Sequence, residues 1–114
     1  MEILGSIQSE GVLIEDREKM QRQMRDFIAR LHKGHRWEGG NVVYKVHFWK
    51  PMFGSKVDAL IEFRSEGREA WFARANGTDS WKSFSRALGS LKQIVVEMEM
   101  REEAPNANDD NGAA

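Results

Sequence analysis

Residues 57–96 read VDALIEFRSEGREAWFARANGTDSWKSFSRALGSLKQIVV and carry the periodic patterns around which the rest of the chain is arranged. Apolar and polar side chains alternate from Val57 to Arg64, which is the pattern of a strand with one buried face. Residues 65–68 contain Gly67 and predict a turn, after which a second alternating run starts at Trp71. Asn76-Gly77 ends that run. The pattern therefore predicts two antiparallel strands joined by a tight hairpin.

An amphipathic helix is predicted directly after this hairpin. Thr78 or Asp79 can supply the side-chain oxygen that accepts hydrogen bonds from the first amides of the helix. The apolar residues that follow recur at helical spacing and form one stripe: Trp81, Phe84, Leu88, Leu91, Val95 and Met98. Because this stripe needs cover, we expect the helix to fold back over the strand pair and to bury a core with it.

The residues before position 57 predict two more strands and one more helix. Residues 3–8 form a short β-forming segment, which residues 12–14 can extend or replace, and residues 42–49 alternate clearly. Between them, residues 16–33 place a second apolar stripe at helical spacing: Met20, Met24, Phe27, Ile28 and Leu31. The order β-α-β-β-β-α predicts an α+β fold with a four-stranded sheet and two helices packed on one face, its last three strands forming an antiparallel meander.

Composition predicts one domain. The chain has 114 residues, of which 40% are hydrophobic and 31% charged, so we expect a single domain over residues 1–100. Residues 101–114 are acidic and contain no large apolar side chain, which predicts a flexible, disordered tail. The absence of cysteine excludes disulfides and thiolate metal sites and favours a reducing compartment. No apolar run approaches the length of a membrane span, and we expect a soluble cytoplasmic protein.

Charge is distributed unevenly along the chain. The formal net charge is −1, yet residues 17–96 contain 16 basic and 8 acidic side chains, whereas the two ends together contain 1 basic and 10 acidic ones. A basic body can attract a polyanion, and an acidic tail can compete for that body or keep it soluble. The same charges are equally consistent with ordinary solvated surfaces.

The sheet face that points away from the helices is a candidate binding surface. Alternation predicts that it carries Lys45, His47, Trp49, Leu60, Glu62, Arg64, Phe72 and Arg74. Aromatic rings among basic groups are typical of a platform on which nucleic-acid bases stack, with Lys45 and Arg74 available for phosphates. The same face, through His47, Trp49 and Phe72, suits a dimer or partner contact, or it can be covered by the tail or a loop.

No residue pattern indicates catalysis. His32 and His35 are three residues apart and His47 lies on a predicted strand, but no third ligand has a defined spacing, so we expect no metal. The serines of the second helix lack a nucleophile motif, and the glycines match no phosphate-binding or dinucleotide-binding loop. We therefore expect no enzyme activity, no cofactor and no small-molecule substrate.

Several short motifs resemble the ribosome hibernation-promoting factor family, which is also described as the sigma-54 modulation or ribosome-associated inhibitor family. Asp58-Ala59 resembles the pair that opens one family strand, and Gly67 matches the hairpin glycine. Ala73 and Ala75 resemble the small residues of the next strand. The junction into the last helix is similar too: Gly77-Thr78-Asp79-Ser80-Trp81. Residues 28–31 and 43–46 also look like family segments, and the likeness covers most of residues 3–96.

This resemblance implies a stress-related, non-catalytic factor. Such a factor binds the small ribosomal subunit in the channel used by messenger and transfer RNA, and it inhibits translation by occupying that channel. The residues available to contact ribosomal RNA phosphates are basic residues of the two helices: Arg22, Arg25, Arg30, Lys33, Lys82, Arg86 and Lys92. Salt should weaken such binding steeply.

One departure from the family pattern keeps an alternative open. The family is usually rich in Lys and Arg late in the last helix, where this chain has Ser90, Gln93, Glu97 and Glu99. Either the contact surface has moved towards Lys82, Arg86 and the open sheet face, or the chain keeps the fold and serves as a protein-interaction module through Trp49 and Phe72. No second, dimerising domain is expected, which favours a monomer.

Overall fold

The structure is a computed structural model that describes residues 2–34 and 40–103, with side chains described throughout these ranges except at 32–34 and 99–103. Its elements follow the predicted order: β1 (Ile3–Glu10), α1 (Arg17–Gly34), β2 (Val42–Trp49), β3 (Val57–Ser65), β4 (Trp71–Gly77) and α2 (Ser80–Glu103). The predicted α+β class and β-α-β-β-β-α order are confirmed. The tail was predicted over residues 101–114; residues 101–103 instead continue α2, and residues 104–114 lie outside the described part of the chain.

The four strands form one mixed sheet in the order β1-β2-β3-β4. β2, β3 and β4 are the predicted antiparallel meander, and β1 pairs in parallel with β2, with Ile7 opposite Val46. This parallel pairing follows from α1, because a helical crossover is what returns the chain to the same end of the sheet. The amide of Arg68 donates to the Ser65 carbonyl, and Gly67 has the positive φ (80°) that the turn requires.

Both helices cover the same face of the sheet and bury one core. α2 packs against β3 and β4, and α1 lies beside α2 over the β1 side. The core consists largely of the two predicted helical stripes and the alternating strand residues, for example Met20, Met24, Ile28, Val46, Phe48, Ile61, Phe63, Phe84 and Leu91. The rings of Phe27 and Phe63 meet edge to face at 5.8 Å, joining α1 to β3.

The helices start at the same end of the molecule and are joined there. The Asp79 carboxylate accepts from the Lys82 amide at 2.8 Å, so of the two predicted capping residues it is Asp79 that caps α2. The Glu15 amide donates to the Ser80 hydroxyl at 3.0 Å, which ties the segment before α1 to the first residue of α2. The two helices consequently run parallel from this shared end, with a groove between them.

Tyr44 fixes how β1 lies against β2. Its ring lies directly over Gly5, so closely that a Cβ atom at position 5 would stand 2.0 Å from the ring atom Cζ. Gly5 is opposite Tyr44 in the parallel pair. A glycine in a strand interior usually marks such a close approach, and here the approach fills the space between α1 and the sheet edge.

Candidate nucleic-acid interface

Most basic residues of the helices are exposed, and none forms an ion pair with another described side chain. Six of the predicted phosphate ligands have exposed side chains: Arg22, Arg25, Arg30, Lys82, Arg86 and Lys92. The seventh, Lys33, lies in α1, but its side chain is outside the described part. No ion pair between described side chains involves a basic residue of either helix. Their charge is therefore available to an external anion.

Arg30 and Lys92 face each other across the groove between α1 and α2. With Gln23, Asp26 and Phe27 they line an open cavity of about 130 Å³. Two cations that reach one cavity from different helices can hold a single phosphate from two sides. Sequence alone did not bring these two residues together, because the pairing depends on how the helices are placed side by side.

A second contact lies in the same groove, nearer the start of both helices. The Lys19 ammonium stands 4.5 Å from the centre of the Trp81 ring, a cation–π contact between α1 and α2. The sequence assigned Trp81 to the apolar stripe of the second helix but did not indicate that Lys19 would reach it. The structure shows that they meet, which fixes the groove at this end.

The remaining helix cations lie nearer the margins of the helical layer. The Arg86 guanidinium donates to the Asn76 carbonyl at 3.0 Å, at the end of the edge strand β4. Arg25 lies close enough to Tyr44 to act on its ionisation: burial raises the pKa of Tyr44, and the Arg25 charge partly offsets that rise. The helix cations thus spread across the helical side from one sheet edge to the other.

The opposite sheet face carries the predicted residues, but two of its three cations, Arg64 and Arg74, are paired with carboxylates of the same face. Arg74 donates to the Asp58 carboxylate at 2.7 Å and lies 5.1 Å from the centre of the Trp49 ring. His47 also contacts Trp49, with 5.3 Å between the two ring centres. The Nε2 atom of His47 lies 3.4 Å from a Glu10 carboxylate oxygen. Arg74 is therefore held by an acid and a ring, an arrangement typical of a structural residue.

Phe72 and Lys45 are also exposed on that face. Phe72 is 54% exposed. Lys45 lines a shallow cavity of about 110 Å³ with Val43, Glu62 and Arg64, and Arg64 donates to Glu62 at 3.3 Å. Counting the strand residues that point to this side, three cations (Lys45, Arg64, Arg74) stand against three carboxylates (Glu10, Asp58, Glu62). The sheet face is nearly neutral, whereas the helical side is cationic.

Metal-binding clusters and membrane-spanning helices are absent from the described part of the chain. Within residues 2–34 and 40–103, no three His, Asp or Glu side chains come close enough to hold a metal ion. His32 lacks a described side chain and His35 lies outside those ranges. Over the same part of the chain, neither helix combines the length and apolar character needed to cross a bilayer.

Comparisons with known proteins relate the chain to two solved structures. Neither family models nor curated proteins give a match. The fold is similar to the N-terminal domain of Protein Y from Thermus thermophilus, with a TM-score of 0.56 and 22% identity over 86% of this chain and 99% of that one. It is also similar to a ribosomal subunit interface protein from Coxiella burnetii, with a TM-score of 0.54 and 17% identity over 88% of this chain and 99% of that one. The resemblance predicted from the sequence is confirmed at the level of the fold.

Proposed function

We propose that this chain is a non-catalytic ribosome-binding factor that docks the helical side of its sheet on ribosomal RNA of the small subunit. In this proposal it occupies the channel of messenger and transfer RNA and thereby inhibits translation under stress or in stationary phase, in the cytoplasm. The observation that carries the proposal is the contrast between the two sides: cations on the helices have no described ion-pair partner, while those on the sheet face are largely paired. The similarity in fold to a ribosomal subunit interface protein from Coxiella burnetii supports it.

Binding of this kind requires only charge and shape. Each exposed Lys or Arg that neutralises a phosphate releases a counterion, so affinity falls with salt in proportion to the number of contacts. The tied helix ends and the Lys19–Trp81 contact hold the groove in one shape, so little ordering entropy is lost on docking. Inhibition then follows from occupancy of the channel.

The acidic end of α2 limits where the contact lies. Ser90, Gln93 and Glu97 are exposed, so these positions present neutral or negative groups where the resembling family is usually basic. Ser90 and Gln93 do not attract phosphates, and Glu97 repels them. We therefore place the contact on α1, the groove, and Lys82, Arg86 and Lys92 of α2.

Sedimentation with purified small subunits tests this proposal. The variant Arg30→Glu/Lys92→Glu reverses two groove cations, and Lys45→Glu/Arg64→Glu makes the same change of charge on the sheet face. We expect the groove variant to lose more than tenfold in affinity and to lower the slope of log affinity against log salt by about 2, since each phosphate-contacting cation contributes about 1. The sheet variant should bind like wild type. Equal losses in both variants, or none in either, would refute docking through the helices.

A second candidate function is a protein-interaction module that uses the sheet face. It is favoured by the near-neutral charge of that face and by the exposure of Phe72. Trp49 is partly buried beneath Arg74, so a partner would contact Phe72 first. Light scattering of wild type and Phe72→Ser tests this second candidate. A wild-type dimer that becomes a monomer in Phe72→Ser supports it. Monomers in both proteins rule out self-association through the sheet face.

A further inference from the structure

The loop between β2 and β3 presents two large apolar side chains to solvent. It reads Lys50-Pro51-Met52-Phe53-Gly54-Ser55-Lys56, and Met52 and Phe53 are 90% and 86% exposed. Gly54 has φ of 103°, a conformation that turns the chain back immediately after Phe53. Adjacent exposed apolar residues at a loop tip cost solvation free energy, which marks them as candidates for a binding contact.

Lysines begin and end this loop, and two further cations lie on α2, which begins at the same end of the molecule. Lys50 and Lys56 flank it in sequence and are exposed. Val57, directly after Lys56, lies opposite Gly77, and Lys82 packs over Gly77 so closely that a Cβ there would come within 2.9 Å of it. Arg86 is held at the neighbouring Asn76 carbonyl. The loop therefore projects at the end of the molecule where α2 begins, beside the cations of the proposed RNA surface.

We propose that Phe53 stacks on an unpaired base of the bound RNA, with Met52 covering the edge of that base and Lys50 and Lys56 contacting the adjacent phosphates. This proposal rests on the proposed function and adds a base contact to its phosphate contacts. Unpaired bases in RNA loops and bulges are commonly held by stacking on aromatic side chains, and apolar side chains such as Phe and Met also insert between bases. Such stacking tolerates any base, so no hydrogen-bonding group is needed at the tip.

The size of the apolar tip disfavours a membrane as the occupant. A single acyl chain of fourteen carbons gives only marginal membrane binding. One Phe and one Met bury less apolar surface than that chain. The surrounding cations instead match a phosphate backbone, which can supply the remaining affinity.

The experiment compares the full chain with Met52→Ser/Phe53→Ser and with a matched control, Val96→Ser. Val96 is also exposed (52%) and lies in the same helix as Lys82 but roughly 20 Å further along it, at 1.5 Å per residue. The probes are a single-stranded RNA of about twelve nucleotides, a duplex RNA of equal length, purified small ribosomal subunits, and vesicles of phosphatidylcholine and phosphatidylserine. Affinity is measured at two or more salt concentrations.

We expect the loop variant to lose about tenfold or more in affinity for single-stranded RNA and for subunits, as removal of one stacked base contact does. Duplex binding and the salt slope should not change, because the cations remain. Unchanged affinity for single-stranded RNA overturns the stacking proposal. So does a loss confined to vesicles, or a loss confined to subunits, which would indicate a lipid or a ribosomal protein as the occupant.

The two proposals fail in different ways. If the loop variant and wild type bind subunits equally and salt weakens both, the stacking proposal falls and the proposed function stands. The opposite outcome is that wild type does not bind subunits at all, while the loop variant binds single-stranded RNA more weakly than wild type does. In that case the ribosomal function falls and the base contact stands.

Discussion

Replacing Arg74 with methionine removes the charge beside Asp58 while keeping an aliphatic side chain over the Trp49 ring. In the folded protein the Asp58 side chain is 7% exposed and the Arg74 side chain 64% exposed, with 2.7 Å between Oδ2 and Nη2. The acid is thus buried and its partner is largely in water. The Arg74→Met variant leaves a buried carboxylate without its ion-pair partner.

The expected loss of stability follows from that asymmetry. Breaking a fully buried pair costs about 3–5 kcal/mol, but solvent screens the exposed guanidinium, so we expect about 2 kcal/mol. For a domain of this size this corresponds to a drop of roughly 10 °C in Tm. Arg64→Met is the matched control, because Arg64 also pairs with an acid on the same face, at 3.3 Å, but with 25% of the Glu62 side chain exposed. It should cost less than about 1 kcal/mol.

Urea unfolding followed by tryptophan fluorescence measures both variants, and Asp58→Asn/Arg74→Met completes the comparison. The double variant should recover more than half of the loss, since no buried charge then remains unpaired. A loss in Arg74→Met no larger than in Arg64→Met, or a double variant as unstable as the single one, would contradict a structural role for this pair. Subunit affinity of Arg74→Met should match wild type if the helical side makes the RNA contact.

Two further predictions concern Tyr44. Gly5→Ala should lower the free energy of unfolding by about 1–3 kcal/mol, because the added methyl group overlaps the Tyr44 ring. Adding Tyr44→Leu should restore part of that loss in thermal melts. If the losses of the two substitutions simply add, the overlap is not the cause. Burial raises the pKa of Tyr44 above its ordinary 10.0, so only the unfolded chain ionises readily as pH rises past about 10, and stability should fall there. In Tyr44→Phe the decline in the urea midpoint between pH 9 and 11 should be smaller, and an identical decline would refute the assignment.

The periodic parts of the fold could be predicted from the sequence. Both helical stripes are buried as expected, and the open face carries the expected residues because strand alternation alone fixes which side each occupies. The sequence predicted that Thr78 or Asp79 caps α2, and the hydrogen bond from the Lys82 amide shows that Asp79 does. These features depend on local spacing, which is visible in one sequence.

Contacts that depend on strand register or helix placement could not be predicted. Asp58 lies near the start of β3, between β2 and β4, and the register of β3 against β4 brings Arg74 within reach of it. The sequence indicated Asp58 only as a motif residue. Arg30 and Lys92 meet through the placement of one helix beside the other. The exposure of Met52 and Phe53 could not be predicted either, because apolar residues that follow a proline do not indicate whether a loop folds inward or outward.

The one-sided distribution of charge has a consequence for how the protein meets a polyanion. With a net charge of −1 the molecule gains little long-range attraction, and at physiological ionic strength fields fade within about 8 Å. In the proposed complex, phosphates at short range attract the cationic side and leave the neutral side unattracted, and this difference exerts a torque that turns the helical side towards the polyanion. Under that proposal, collisions that begin sheet-first are turned or released.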